Sequence, residues 1–225
     1  MPGLKAYGTS KDLIYREVRR SIILGYCESG ERLDLEGLAR SYGTSVTPVR
    51  DALQMLNQEG LVTIKPRSGY FITRITLKQL HDVLELREIL EVASVERAVT
   101  RITEQQLQAL ERVHAGYTGD DDESRDRYAS ENRRFHYLIA QASGNQELAE
   151  MLGHLHDRLV RFMVLCRTDE TMECRHARLI EALRTRNVAL ARQAMIEELD
   201  QTRKTTLDRV IQEEGAFWRV GSRSE

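Results

Sequence analysis

The chain of 225 residues lacks the features of a membrane, secreted or disulfide-stabilised protein. It has only three cysteines, at no metal-finger spacing, which indicates reduced thiols and argues against both a disulfide framework and a zinc finger. No apolar run approaches the roughly 18 residues that a membrane helix needs. Residues 1–10 lack the apolar core of a signal peptide. We therefore expect a cytoplasmic protein that does not contact the membrane.

Proline is scarce, and its distribution divides the chain. All three prolines lie before residue 67, whereas the sequence beyond about residue 76 is almost uninterrupted helical periodicity. We therefore predict two domains, residues 1–75 and 76–225. The first carries 11 Lys and Arg against 8 Asp and Glu, and the second 22 against 27. A mildly basic domain joined to an acidic domain is typical of a protein that binds a polyanion through the basic domain.

The pattern of the first domain predicts three helices and a β-hairpin. Helices are expected at about Ser10–Leu24 and Leu35–Tyr42. A third helix is expected to begin with Thr47 as N-cap and Pro48 as the first helical residue. Two β-rich runs, 61–64 and 70–72, then flank a basic tip. This order is that of a winged helix-turn-helix.

The polar residues of this domain are of the types that contact DNA. A helix fits the major groove, and a hairpin can reach the minor groove or the backbone. Hydroxyls at the start of the third helix suit phosphates, an arginine one turn on suits a phosphate or a guanine edge, and the hairpin is cationic. The predicted DNA-binding residues are Ser45, Thr47, Arg50, Lys65, Arg67 and Gly69. The alternative is a winged helix that binds another protein through ordinary exposed polar residues.

The second domain is predicted to be entirely helical. Thr76 and Thr103 each precede a glutamine by three residues, the pattern of a capping box. An acidic loop is expected at Gly119–Glu123, with helix breaks at 143–145 and 185–187. The expected helices span about 77–101, 104–117, 125–142, 146–167, 170–185 and 188–213, followed by a loose tail.

Residues 10–75 resemble the DNA-binding domain of the GntR family of bacterial transcription regulators. The resemblance rests on Gly30-Glu31-Arg32-Leu33, Leu38-Ala39, Thr47-Pro48-Val49-Arg50-Asp51-Ala52-Leu53 and Glu59-Gly60-Leu61-Val62. The resemblance implies operator binding. Members often carry arginines at the positions that Glu36 and Val46 occupy here. The absence of these arginines implies an operator different from the commonest one and a larger share of DNA recognition for Arg50.

Residues 77–212 resemble the FCD branch of that family. The matching stretches are Leu86-Arg87 to Leu90-Glu91, Phe135-His136 to Ser143-Gly144-Asn145, and His176 to Ala182-Leu183. The resemblance implies an antiparallel helical bundle with an internal cavity, in which many members bind a divalent metal and a small carboxylate. His136 and His176 match two metal-binding histidines of the family. Asn132 stands where the family has aspartate, and Glu198 where it has a third histidine.

The resemblance therefore implies a metal site at Asn132, His136, His176 and Glu198. Two imidazoles and one carboxylate are a common donor set for Zn²⁺, Fe²⁺ or Ni²⁺, and an amide oxygen adds a weak ligand. Asn132 and His136 share a helix face because they lie four residues apart. The alternative is a pocket without metal, in which these groups are hydrogen-bonded to one another.

Arg87 matches an arginine that faces the cavity in the family, and with Asn132 it is the predicted effector-binding residue. A guanidinium there would bind a carboxylate in bidentate fashion. The alternative is a surface ion pair with Glu91. The remaining histidines that we considered, His114, His154 and His156, are expected at the surface.

We thus predict a homodimeric, ligand-responsive regulator of operator DNA, which the resemblance implies is a repressor of genes for catabolism of a small carboxylate or sugar acid. No P-loop, nucleophile elbow, HExxH or GxGxxG motif is present, so an enzyme is not expected. The rival interpretations are a helical metalloenzyme built on His136, His176 and Glu198, and the protein-binding winged helix. Loss of gel-shifted upstream DNA in Arg50→Ala would favour the regulator.

Overall fold

The computed structural model describes residues 9–113, 121–165 and 172–220. The chain forms two compact units, Met1–Ile75 and Thr76–Glu225. The first contains α1 (Ser10–Ile23), β1 (Arg32–Leu33), α2 (Leu35–Ser41), α3 (Val46–Gln58), β2 (Val62–Lys65) and β3 (Gly69–Ile72). The second contains α4 (Leu77–Arg101), α5 (Glu104–Glu111), α6 (Asp122–Ala142), α7 (Gln146–Leu165), α8 (Met172–Arg184) and α9 (Val188–Val220).

The core of the first unit forms between α1 and α3. Apolar residues recur on one face of each helix and are fully buried, among them Ile14 and Ile22 of α1 and Leu53 and Leu56 of α3. Burying side chains of this size stabilises the unit by roughly 1.5–3 kcal/mol each. The predicted helix–helix–helix–hairpin order is confirmed.

The sheet contains a strand that the sequence analysis did not predict. The two-residue β1 pairs antiparallel with β3, which makes a three-stranded sheet in the order β1-β3-β2. Arg32 lies opposite Phe71, and Phe71 lies opposite Thr63 on the other side. A two-residue strand has too few positions to show an alternating pattern, so periodicity does not reveal it.

The start of α3 differs from the prediction. Ser45 is the N-cap residue and the helix begins at Val46, which places Thr47 second and Pro48 third in the helix. The prediction that Thr47 caps this helix and that Pro48 is its first residue is therefore wrong. Proline is tolerated here because the first backbone N–H groups of a helix have no intrahelical acceptor.

The described residues of the second unit form helices joined by short turns, without a strand, and both predicted capping boxes are confirmed. The hydroxyl of Thr76 accepts from the backbone N–H of Gln79 at 3.2 Å, and Gln79 Oε1 accepts from the backbone N–H of Thr76 at 3.0 Å. Thr103 and Gln106 repeat this exchange at the start of α5. The central core lies between α4, α5, α6, α8 and α9.

Three predicted boundaries in this unit are wrong. The acidic segment begins a helix, because Asp121 caps α6 by accepting from the backbone N–H of Ser124 at 2.8 Å. α5 ends at Glu111, well before the predicted residue 117, and residues 114–120 lie outside the described part of the chain. α9 continues to Val220, beyond the predicted end at residue 213.

The predicted break at 185–187 holds an arginine in a conformation that favours glycine. Arg186 has φ 55° and follows α8, where the backbone N–H of Asn187 donates to Ala182 O at 3.1 Å. Its guanidinium donates to the carbonyl oxygens of Val99, at 2.7 Å, and Ile102 at the end of α4. The side chain thus satisfies helix-terminal carbonyls and places positive charge at the negative end of the helix.

Arg186→Ala is expected to lower the free energy of unfolding by about 1–2 kcal/mol, because it removes both hydrogen bonds and keeps the left-handed backbone. Arg186→Gly is expected to be about 1 kcal/mol more stable than Arg186→Ala, since glycine adopts this conformation without strain. Urea unfolding of the three proteins measures both differences. Equal stability of the alanine and glycine variants would show that the backbone at this position is unstrained.

Candidate functional site

The amino end of α3 presents hydroxyls and a guanidinium to solvent. Ser45, Thr47 and Arg50 are all exposed. The Ser45 side chain makes no capping hydrogen bond, and Arg50 has no hydrogen-bond or ion-pair partner among the described residues. Free backbone N–H groups and the helix dipole make this end of α3 suitable for a phosphate.

The turn between β2 and β3 carries the other predicted DNA-contacting residues. Arg67 is exposed and has φ 63°, and Gly69 has φ 114°, a value that strongly favours glycine. Lys65 does not extend from the tip, because its Nζ lies 4.6 Å from the centroid of the Phe71 ring. This cation–π contact holds the ammonium group against the sheet.

Neither position that departs from the family's pattern provides a cation. The Glu36 side chain is 80% exposed and lies 3.9 Å from the guanidinium of Arg40. Val46 is half-buried at the start of α3. Arg50 is therefore the only basic residue on α3, whose sequence is VTPVRDALQMLNQ.

The second unit buries a cluster of ionisable residues, which we call the histidine–glutamate cluster. It consists of Glu91 from α4, His136 from α6, His156 from α7, His176 from α8 and Glu198 from α9. Each is at most 4% exposed. Charged and imidazole groups are this deeply buried only when they are paired or bind a ligand.

Glu91 is the centre of one half of the cluster. Its Oε1 accepts hydrogen bonds from His156 Nε2 at 2.8 Å and from Arg87 Nε at 3.1 Å, and its Oε2 accepts from His136 Nδ1 at 2.9 Å. Arg87 is 1% exposed. The ion pair between Arg87 and Glu91 therefore exists, but the alternative that placed it at the surface is wrong.

The other half of the cluster surrounds one oxygen of Glu198. His136 Nε2 lies 3.0 Å and His176 Nε2 3.2 Å from Glu198 Oε1. The Phe135 ring stacks on the His176 ring, with the two centroids 3.7 Å apart. The structure thus brings together three of the four predicted metal-binding residues. Asn132 is buried one turn before His136, but it makes no hydrogen bond with these three.

The charges of the cluster and of Arg87 together balance. Burial raises the pKa of Glu91 and Glu198, but the charge on His136 and hydrogen bonds from the histidines hold both pKa values well below the usual range. Burial lowers the pKa of His136, but the two carboxylates outweigh burial and raise it to about 9. Burial lowers the pKa of His156 to about 4 and also lowers the pKa of His176. Two carboxylates thus face one imidazolium and the Arg87 guanidinium.

The cluster fits a divalent cation. The ligand atoms of His136, His176 and Glu198 lie within 4.8 Å of one another. Glu198 Oε2 is buried and has no hydrogen-bond partner. Nitrogen and carboxylate donors at this spacing suit Zn²⁺, Ni²⁺ or Fe²⁺, and a cation among them would compensate the unpaired oxygen.

Two members of the cluster, His156 and Glu91, were not predicted from the sequence. His156 was expected at the surface, which is wrong, whereas His154 is exposed as predicted and His114 lies outside the described residues. A signal for His156 was present, since Leu152, Leu155 and Leu159 place it on the apolar face of α7. Glu91 was considered only as a surface partner of Arg87.

The two units thus define a class of protein, the transcription regulators that join a winged helix-turn-helix to a helical regulatory domain. Models of two families match the chain. The model of the bacterial regulatory proteins of the gntR family matches residues 11–72, and that of the FCD domain matches residues 82–201. The chain belongs to the FCD branch of the GntR family, whose members are DNA-binding regulators and not enzymes.

Relatives agree with this assignment. The uncharacterized HTH-type transcriptional regulator YdhC of Bacillus subtilis is 29% identical over 81% of this chain and 84% of its own length. The HTH-type transcriptional repressor RspR of Escherichia coli is 28% identical over 91% of both chains. The solved structure of E. coli McbR/YncC superposes with a TM-score of 0.68 at 21% identity, over 91% of this chain and all of that one, which shows a common fold. Among the described residues, no helix is long and apolar enough to span a membrane.

Proposed function

We propose that the protein is a homodimeric repressor whose affinity for operator DNA changes when its helical domain binds a small carboxylate. The histidine–glutamate cluster is the observation that carries the proposal. Five buried ionisable groups and a buried guanidinium contribute little to stability compared with a well-packed apolar core. Their position inside a regulatory domain is that of a ligand-binding site.

The direction of regulation is taken from relatives. RspR and the 27% identical GlaR of E. coli are both named HTH-type transcriptional repressors. A repressor that an effector releases needs a ligand that binds more tightly to the state unable to bind DNA. We propose that the regulated genes serve the catabolism of this carboxylate or sugar acid.

We assign the metal to His136 Nε2, His176 Nε2 and Glu198, with Asn132 as a weaker oxygen donor. A divalent cation there would attract the carboxylate of the effector. Glu91 supports the site because it accepts a hydrogen bond from His136 Nδ1, and such outer carboxylates orient metal-binding imidazoles. Arg87 Nη2, 3.3 Å from His136 Nε2, is the proposed partner of the effector's acid group.

The proposed dimer would place two winged helices on the two halves of a palindromic operator. α4 and α7 pack against each other and carry large apolar side chains that are exposed in the single chain. Ile89 is 61% exposed and Met151 is 52% exposed. Burial of these side chains against a second copy would remove them from water.

Mobility-shift assays with the upstream region of the protein's own gene test this function. We expect retarded DNA, and we expect a small carboxylate recovered from the protein's crystals to release it. Absence of salt-sensitive binding to any duplex from the genome would contradict DNA-dependent regulation. Retarded DNA that no co-purified or added carboxylate releases would contradict the effector assignment alone.

Metal occupancy is a separate prediction. Protein incubated with Zn²⁺ or Ni²⁺ and then desalted is expected to hold about one ion per chain at this site, measured by elemental analysis. Free metal at about 100 times its dissociation constant should raise the unfolding free energy by about 2.7 kcal/mol. His176→Ala and Glu198→Gln are expected to abolish both effects, and the exposed His154→Ala serves as control. Wild-type protein that stays metal-free would contradict the assignment.

A further inference from the structure

The outer face of the three-stranded sheet carries three cations, and we call it the cationic sheet face. The strand register places Arg32 beside Phe71, and Lys65 covers the Phe71 ring at 4.6 Å. Arg74 follows β3, and its Nε lies 4.0 Å from the position that a Cβ on Gly30 would occupy. The opposite face of the sheet is apolar, with Leu33, Val62 and Ile72 buried in the core.

A groove of about 380 Å³ opens on this face. No lining residue is acidic, and the groove is lined by Lys65, Phe71 and Arg74, together with Ser29, Gly30, Thr63 and Ile72. The Ser29 hydroxyl is a further potential donor to an anion, whereas the backbone N–H of Gly30 already donates to Ile72 O at 3.0 Å.

The three cations have no ion-pair partners among the described residues. Two other arginines of the same unit do have such partners: Arg19 Nε lies 3.0 Å from Glu59, and Arg40 lies 3.7 Å from Asp34. All three cations are exposed, so they are free to meet an external anion. Lys65 and Arg74 line the groove and Arg32 lies beside Phe71 on the same sheet, so the three cations form a surface complementary to a polyanion.

We propose that the cationic sheet face binds the phosphate backbone of duplex DNA beside the wing, through Arg32, Lys65 and Arg74. This inference rests on the DNA-binding function and extends its interface beyond α3 and the tip of the hairpin. Lys65 connects the two regions, since it belongs both to the predicted wing contacts and to the groove.

The chemistry of the face favours phosphate over base edges. A concave sheet surface does not insert into the major groove of DNA as a helix does. Cations on such a surface contact the backbone phosphates and not the base edges. The cationic sheet face should therefore add affinity and salt dependence but no sequence preference. Arg50 on α3 should behave in the opposite way if it reads a base.

The test measures binding of a fluorescent duplex of arbitrary sequence, and of the upstream fragment, as a function of salt concentration. Log affinity falls linearly with log salt concentration, and this slope becomes less steep by about 0.9 for every phosphate contact removed. Arg32→Gln and Arg74→Gln should each lower the slope by about that amount and weaken binding roughly 8-fold at 0.1 M salt. The double variant should lose about twice as much slope.

Two variants serve as controls. Arg32→Lys keeps the charge and should retain the wild-type slope. Arg127→Ala removes an equal charge from the second unit, where Arg127 already pairs with Glu123, and should also leave the slope unchanged. Circular dichroism should show that all variants are folded, as expected for substitutions of exposed side chains.

The outcomes separate this inference from the proposed function. Wild-type binding with unchanged slopes in Arg32→Gln and Arg74→Gln would overturn the inference and leave DNA binding intact, and the face would then belong to another partner, such as an acidic protein. A loss confined to the upstream fragment would also overturn it, because that result indicates base readout. Failure of the wild type to bind any duplex would overturn both.

Discussion

Replacement of His136 by alanine is expected to lower the unfolding free energy of the metal-free protein by about 3–5 kcal/mol. His136 is fully buried and links the two carboxylates of the cluster, with Nδ1 2.9 Å from Glu91 and Nε2 3.0 Å from Glu198. Without the imidazolium, Glu91 keeps Arg87 and His156, whereas Glu198 keeps only neutral His176 among its hydrogen-bond partners. A buried carboxylate that loses its counter-charge is strongly destabilising.

Urea unfolding in the presence of a chelator measures this loss. His154→Ala is the matched control, since it removes an exposed histidine from α7, and its effect should stay within about 0.5 kcal/mol. A loss below about 1 kcal/mol in His136→Ala would show that water reaches the two carboxylates and that they are not dependent on the imidazole. In a separate measurement without chelator, we expect added Zn²⁺ to stabilise the wild type but not His136→Ala.

Arg50→Ala is expected to weaken binding to the upstream fragment by roughly 10- to 100-fold, equivalent to about 1–3 kcal/mol. Arg50 is exposed and has no partner among the described residues, and alanine is a good helix former. The substitution should therefore leave α3 intact and remove only contacts with DNA. Fluorescence anisotropy at a fixed salt concentration measures the affinity.

Arg50→Lys identifies the atoms that Arg50 contacts. Lysine keeps the charge, so it should restore most of the affinity if Arg50 binds a phosphate, whereas bidentate recognition of guanine is expected to be weakened. Arg97→Ala, an exposed arginine of α4, is the control and should bind as the wild type does. Wild-type affinity in Arg50→Ala would mean that α3 is not the principal DNA-contacting helix.

Most elements of the fold were predictable because their signals are local. The capping boxes at Thr76 and Thr103 and the hairpin before residue 73 depend on residues only a few positions apart. The start of α3 was predicted wrongly because two neighbouring residues carry the same capping signal. Thr47 and Ser45 are both good N-caps, and the position of Pro48 does not distinguish them because proline is tolerated throughout the first turn.

The cluster was predictable only in part. The resemblance to FCD domains pointed to His136, His176 and Glu198, which the structure brings together. It did not point to His156, which lies outside the stretches that carry the resemblance; only the apolar pattern of α7 indicated that this histidine is buried. It also did not reveal that Arg87 is already engaged by Glu91, since an i to i+4 pair is equally compatible with burial and exposure.

The amino-acid order alone was sufficient for the two-domain division, the winged helix-turn-helix, the helical second domain and the family, since periodicity, caps and motifs are properties of short segments. The cluster required the folded chain. Its five residues come from five helices and are separated by as many as 107 positions, from Glu91 to Glu198, and only packing decides which side chains meet. The cationic sheet face likewise depends on β1, because pairing of two short segments across the chain brings Arg32 next to Phe71.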